Sequence, residues 1–323
     1  MSMMQMLLGT AAAALNVDNV FDIATYAGDS STSRSIDNGM DLSGEGGLLW
    51  IKKRSSSGSN VLVSSVKAVT SNLFSDSTSA AVSVGDLVTS LNSNGWTMDD
   101  NSLANSSGEN YVAWTFLKSS NFFDVVSYTG NATAGRTVSH SLGTEPGMIF
   151  LKRTDAVSGW RVYHTGLGNT KYVELNTVNT NVDSDAIWND TSPTSTEFTI
   201  GDDASVNANA GTYEAYLFAK DNSIIKCDSY TGNSTTSNPI TVGFQPQLVM
   251  IRSTTGGPWY VFDTARGVGT ASNADKVLQW HSTNGEVSTS LLNFTSTGFT
   301  LESTDTSVNS SAQTYLYMAI AAS

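Results

Sequence analysis

The chain repeats itself three times, and that repeat limits the fold more than any other feature. A Tyr-x-Gly element occurs as Tyr26-Ala27-Gly28, Tyr128-Thr129-Gly130 and Tyr230-Thr231-Gly232. An apolar run closed by a cation follows each time: Leu48-Leu49-Trp50-Ile51-Lys52, Met148-Ile149-Phe150-Leu151-Lys152 and Leu248-Val249-Met250-Ile251-Arg252. A closing segment ends each unit: Tyr111-Val112-Ala113-Trp114, Tyr213-Glu214-Ala215-Tyr216 and Tyr315-Leu316-Tyr317-Met318. An aromatic-Thr-aliphatic triplet precedes each closing segment (Trp96-Thr97-Met98, Phe198-Thr199-Ile200, Phe299-Thr300-Leu301), and an Asn sits six residues before each closing Tyr, at Asn105, Asn207 and Asn309. Marks in one order at near-constant spacing define repeated units of about 100 residues.

The units span 20–118, 121–220 and 223–323, and residues 1–19 form an arm before the first. The links Ser119-Ser120-Asn121 and Asp221-Asn222 are short, so neighbouring units are expected to sit in a fixed relation. Side chains alternate along a strand, so Trp114 and Phe116, Tyr216 and Phe218, and Met318 and Ile320 share one face in each closing segment. The cation-closed runs are apolar on both faces, as in central strands covered on both sides. Strands also fit Trp160–Tyr163, Trp259–Phe262 and Val287–Phe294; the first unit has Asn60 where the others have Trp160 and Trp259. Only 14% of residues are charged, and Ser, Thr and Asn take their place, which suits the outer faces of sheets. The expected fold is all-β: three tandem β-sandwich modules behind a short apolar arm, with a small barrel as the alternative for the module. Propeller blades run shorter, and three would not close a ring.

The net charge of −13 argues against nucleic acid as a partner. One cysteine excludes an internal disulfide framework. The arm lacks a basic n-region and is too short to span a bilayer, so no membrane insertion is expected. Its apolar residues Met3, Met4, Met6, Leu7, Leu8 and Leu15 are costly to leave in water and mark a docking segment.

No catalytic set emerges, and no enzyme activity, cofactor or metal is expected. His140, His164 and His281 fall at different repeat positions without ligand-spaced partners, and His140 reads as solvated. Cys227 matches Ile23 and Val125, so it reads as a small core side chain. Asp99-Asp100-Asn101 and Gly201-Asp202-Asp203 read as solvated loops, and Lys52-Lys53-Arg54 as a strand end kept wet by charge. Gly267-Val268-Gly269 lacks the third glycine of a dinucleotide loop and reads as a turn. Trp160 and Trp259 occupy equivalent strand positions and are assigned to the core. Trp188 and Trp280 lie in less regular sequence and are the candidates for stacking on a host-surface glycan.

Four of these marks resemble a known family. Gly243-Phe244-Gln245-Pro246, Leu49-Trp50-Ile51-Lys52, Gly298-Phe299-Thr300-Leu301 and Tyr111-Val112-Ala113-Trp114 are similar to the hallmarks of marine bacteriophage virion proteins built from a repeated β-domain of this length. The resemblance covers residues 20–323. Module one lacks the proline, and module three ends in Tyr317-Met318 where the pattern has Ala-Trp. It implies a tail fibre, a tail-associated adhesin or a capsid decoration, located in the virion and partnered by other virion proteins. By analogy it also implies a homotrimer. It brings no catalytic residues. The alternative is an array of carbohydrate-binding modules that recognises a receptor.

Overall fold

The computed structural model describes residues 15–268 and 275–323. Module one contains β1 (Phe21–Ala27), β2 (Arg34–Asp37), β3 (Gly47–Lys53), β4 (Val61–Ser64), β5 (Ser71–Phe74), β6 (Val82–Ser83), β7 (Val88–Asn92), β8 (Gly95–Met98) and β9 (Asn110–Leu117). Module two contains β10 (Phe123–Thr129), β11 (Arg136–Ser139), β12 (Pro146–Arg153), β13 (Arg161–His164), β14 (Lys171–Glu174), β15 (Val182–Asp183), β16 (Glu197–Ile200) and β17 (Thr212–Ala219), with α1 (Asp185–Trp188) and α2 (Ala204–Asn207). Module three contains β18 (Ile225–Thr231), β19 (Asn238–Thr241), β20 (Pro246–Ser253), β21 (Tyr260–Asp263), β22 (Asp275–Gln279), β23 (Val287–Thr289), β24 (Leu292–Thr295), β25 (Gly298–Leu301) and β26 (Thr314–Ala321), with α3 (Thr306–Asn309). The fold is all-β and of sandwich type.

Each module has one six-stranded antiparallel sheet, in the orders β1-β9-β3-β4-β5-β6, β10-β17-β12-β13-β14-β15 and β18-β26-β20-β21-β22-β23. A small second sheet packs against it: β2-β8-β7, β11-β16 and β19-β25-β24. In module two, α1 stands where the others have a third strand. The apolar run from Val287 to Phe294 divides between two sheets, β23 joining the large one and β24 the small one.

The apolar runs fill two cores by strand alternation. Leu48 and Trp50 of β3 point to a central core, while Leu49 and Ile51 point to the module's own core with Val61, Val63, Trp96 and Met98. Module three repeats this, with Leu248 and Met250 central and Val249 and Ile251 in its own core. The central core takes Trp50, Trp114 and Phe116 from module one, Phe150, Tyr216 and Phe218 from module two, and Met250, Trp280 and Met318 from module three.

The three modules therefore close into a ring about a pseudo-threefold axis, and reciprocal backbone bonds recur at each joint. Ala81 N–H donates to Thr154 O and Ser158 N–H to Thr78 O between modules one and two. Asn181 N–H donates to Thr254 O and Gly257 N–H to Val178 O between two and three. Glu286 N–H donates to Arg54 O and Gly58 N–H to Thr283 O between three and one. Pro258 stands where Gly58 and Ser158 donate. It has no N–H, so the donor moves to Gly257, whose φ of +137° suits only glycine. The ring has two ends. The base holds both links, the start of β1 and the end of β26; the apex holds the Tyr-x-Gly turns.

At the apex the repeated residues build one lock three times. Tyr26 stacks on Tyr111 with ring centroids 5.3 Å apart, Tyr128 on Tyr213 at 4.9 Å and Tyr230 on Tyr315 at 5.1 Å. Each first Tyr hydroxyl donates to the residue before the repeated Asn: Ala104 O, Val206 O and Val308 O. Asn105, Asn207 and Asn309 are fully buried, and each bridges the turn. Their Oδ1 accepts the N–H of Asp29, Asn131 or Asn233, and their Nδ2 donates to Ser31, Thr133 or Thr235 O. A Cβ on Gly28, Gly130 or Gly232 would lie 2.1–2.2 Å from a carbonyl oxygen, so only glycine fits.

Candidate functional site

The repeated strand ends meet at the joints between modules. The Trp just before β13 and β21 caps the preceding module: Trp160 Nε1 donates to Phe74 O at 3.0 Å, and Trp259 Nε1 to Glu174 O at 2.9 Å. Module one has Asn60 there, and its Nδ2 donates to Ser282 O at 2.9 Å and Gln279 O at 3.3 Å. The space a third Trp would fill is taken from the other side. Trp280 stacks on Trp50 at 4.3 Å and meets Trp114 edge-on at 5.9 Å. Leu175 and Ser75 stand at its place in the other two modules.

The repeated cation lies at the same joints. Lys52 Nζ donates to Thr283 O at 2.9 Å, Lys152 Nζ to Thr78 O at 3.3 Å and Arg252 Nη2 to Asn179 O. Burial lowers both lysines to about 8 and Arg252 to about 10. The expectation of a wet strand end is thus corrected: Lys52 is fully buried, Lys53 nearly so, and Arg54 pairs with Glu286 at 2.8 Å. The adjoining module covers this strand end.

Towards the base the three joints differ in chemistry. Ser64 Oγ donates to Glu214 Oε2 at 2.7 Å, and Tyr216 OH donates to the same oxygen at 2.6 Å. His164 Nε2 lies 3.1 Å from Tyr317 O, and its Nδ1 accepts Gly166 N–H at 3.1 Å, so the neutral Nε2–H tautomer satisfies both contacts. Trp114 Nε1 donates to Asp263 Oδ2 at 3.0 Å, and Arg266 Nε binds the same oxygen at 2.7 Å. The joint between modules three and one also carries Arg54–Glu286 and an Arg266–Glu286 contact of 3.5 Å.

The structure corrects the glycan candidates. Trp188 is 1% exposed and packs edge-on against Tyr163 at 5.9 Å; Trp280 is 0% exposed in the central core. Neither offers a ring face to a sugar. All seven Trp are fully buried, Trp160 and Trp259 as expected. Of the docking residues, Met3, Met4, Met6, Leu7 and Leu8 lie outside the described residues. Leu15 packs partly buried against the central core, beside buried Val17 and Val20.

The remaining candidates divide between support and correction. Cys227 is buried, and a Cβ on Gly147 of module two would come within 2.5 Å of its own Cβ, so it is a packing residue; burial raises its thiol. His140 is also buried, not solvated: Leu142 N–H donates to its Nδ1, and desolvation lowers its pKa. Asp203 and Asp305 cap α2 and α3 through Ser205 and Ser307 N–H, and Asn101 accepts Leu103 N–H in the same way. The acidic loops are thus helix and turn caps. Sequence reading missed the joint acceptors Asp76, Asn176 and His281. Each takes the N–H of the residue just before β4, β13 or β21: Asn60, Trp160 and Trp259. Three unlike side chains leave no shared letter to find.

At the base, an open cleft of about 470 Å³ lies between modules one and two, lined by Glu45, Lys118, Phe123 and Asp124. Lys118 Nζ lies 3.1 Å from Asp124 Oδ1, and Asp124 also accepts Val125 and Ser141 N–H. Its carboxylate is occupied in holding the link region. Among the described residues no three His, Cys, Asp or Glu side chains group as metal ligands, and no helix is long and apolar enough to cross a membrane.

A family model described as a domain of unknown function (DUF7483) matches residues 17–323. No curated protein and no solved structure matches the chain.

Proposed function

We propose that this chain, which belongs to the family described as a domain of unknown function (DUF7483), is a structural protein of a bacteriophage particle. It is displayed on the particle surface, as a tail fibre, a tail-associated adhesin or a capsid decoration, and its N-terminal arm attaches it. One observation carries the reading: the residues repeated in all three modules serve the locks and joints. Tyr26 and Asn105, with their counterparts, lock the apical turn of each module, and Lys52, with its counterparts, ties each module to the next around the ring. The strand marks that resemble virion proteins belong to the same framework, since Trp50 and Trp114 fill the central core and Phe299 a module core. Such a body suits bearing load and display. The glycan-binding alternative loses the two contacts named for it, Trp188 and Trp280.

Mass spectrometry of purified particles tests the proposal. The chain is expected among the structural proteins, and a chain lacking residues 1–14 is expected in cell extracts but not in particles. A particle fraction without the full-length chain overturns the reading.

A further inference from the structure

We propose that Asn284 is a site of spontaneous deamidation, a covalent modification that loosens the ring at the joint between modules three and one. Asn is among the thermolabile side chains, and the chemistry needs only the chain and water. The Gly285 amide nitrogen loses its proton to solvent and attacks Asn284 Cγ. A new N–Cγ bond forms, the bond from Cγ to the side-chain nitrogen breaks, and ammonia leaves. Water then opens the resulting succinimide at either carbonyl. One opening gives Asp at 284. The other gives isoaspartate, which routes the main chain through the former side chain and lengthens it by one methylene. The site does not depend on the particle reading.

Of the three Asn-Gly pairs in the chain, only this one is free to react. Asn38 is tied down: its Nδ2 donates to Asp22 Oδ2 and Thr115 Oγ1, both at 3.0 Å, and its Oδ1 accepts Met40 N–H at 3.2 Å. Gly95, after Asn94, lies in β8 and pairs with Asp37 on one side and Asn92 on the other, so its backbone is fixed in a sheet. Asn284-Gly285 lies in the irregular segment between β22 and β23, and Asn284 is exposed. Neither the Asn284 side chain nor Gly285 N–H has a hydrogen-bond partner among the described residues. The joint itself calls for the reactive residue. A Cβ on Gly285 would lie 2.9 Å from Arg54 O and 3.1 Å from Ser56 O, so module one leaves little room for a side chain. The same missing side chain leaves the Gly285 nitrogen open to attack. By the backbone bonds of the joints, Ser79-Ala80 and Asn179-Thr180 hold this place elsewhere, and there a side chain shields the second nitrogen. The consequence follows from the neighbours. Thr283 O accepts Gly58 N–H and Lys52 Nζ, and Glu286 N–H donates to Arg54 O. These bonds to module one flank Asn284-Gly285. An extra methylene between them throws one or both out of hydrogen-bond geometry.

Ageing of the purified full-length chain tests this. The protein is incubated at pH 8.5, sampled over weeks, digested and mapped by mass spectrometry at all three Asn-Gly pairs. In the folded chain Asn284 is expected to convert at least about tenfold faster than Asn38 and Asn94, with isoaspartate the larger product. In urea the three rates are expected to come together. Comparable folded rates overturn the proposal, and so does a difference that persists in urea, which would belong to local sequence alone. The effect on the joint is read by amide hydrogen exchange. The deamidated fraction, taken by anion exchange, is compared with fresh protein and with Asn284→Asp, which adds the charge without the methylene. Faster exchange is expected at Gly58 and Glu286 in the deamidated fraction, with Ser158 and Asn181 at the other joints unchanged and Asn284→Asp close to fresh protein. A deamidated fraction that exchanges like fresh protein at Gly58 and Glu286, or that loosens all three joints alike, overturns the assignment to this joint.

Discussion

Individual residues in this ring complement one another across the joints. Asn60 and Trp280 are the clearest pair, because the aromatic missing at the first position is supplied at the second. Trp280→Leu alone is expected to cost about 3 kcal/mol, as large-to-small core changes do. Adding Asn60→Trp rebuilds at this joint the Trp-over-Leu arrangement of Trp259 and Leu175, and is expected to restore at least about 1 kcal/mol. Denaturant unfolding of the four proteins in the cycle checks it, and a double variant no more stable than Trp280→Leu refutes it. A second residue effect lies at the apex. Ala210 and Ala312 hold φ near +60°, a conformation that Gly108 takes without strain in module one. Ala210→Gly and Ala312→Gly should each stabilise the protein by about 0.5–1 kcal/mol, read as a rise in melting temperature.

Elements were legible from the sequence where their reason is local. The period-two face of the closing strand, the apolar run before the cation and the glycine after Tyr all lie in strands or turns that the pattern marked. The burial of Trp188, Trp280, Lys52 and Lys152 was not legible, because what covers or pairs with them lies in other strands or other modules. The contact between β13 and β26 shows what such joints do with pH. The neutral tautomer of His164 satisfies two backbone groups, and burial holds its pKa at about 4. The unfolded chain, with an ordinary His near 6.5, binds the extra proton first. Stability is therefore fully present above pH 6.5 and is lost as pH falls towards 4, by up to about 3 kcal/mol for this residue. His281, also held at about 4, adds in the same sense. Glu214, whose carboxyl is raised by burial, opposes it. Melting temperatures between pH 7 and pH 4.5 should fall less steeply for His164→Gln than for wild type; equal slopes would rule out this source.

At the scale of the molecule, all three modules share one central core besides what each buries within itself. Removing module three (residues 221–323) would uncover Trp50, Trp114 and Phe150, which face Trp280 across the axis. Residues 1–220 are expected to bind a hydrophobic dye and to unfold without a sharp transition. A truncated chain that melts cooperatively as a monomer would show that the modules are independent. The joint without a covalent link carries the densest charge, with Arg54, Glu286, Arg266 and Asp263 in contact. Raised ionic strength should accordingly weaken this joint first, since part of the network is solvent-accessible.

That last joint also sets an order of events at the ribosome. Arg54 meets Glu286 from 232 residues away. The first two modules must leave the ribosome and then wait while the third is made. At common elongation rates the wait is roughly 5–20 s, with the aromatic faces of Trp50 and Phe150 still open. During synthesis the nascent chain is thus expected to need chaperones until residues 221–323 have been made.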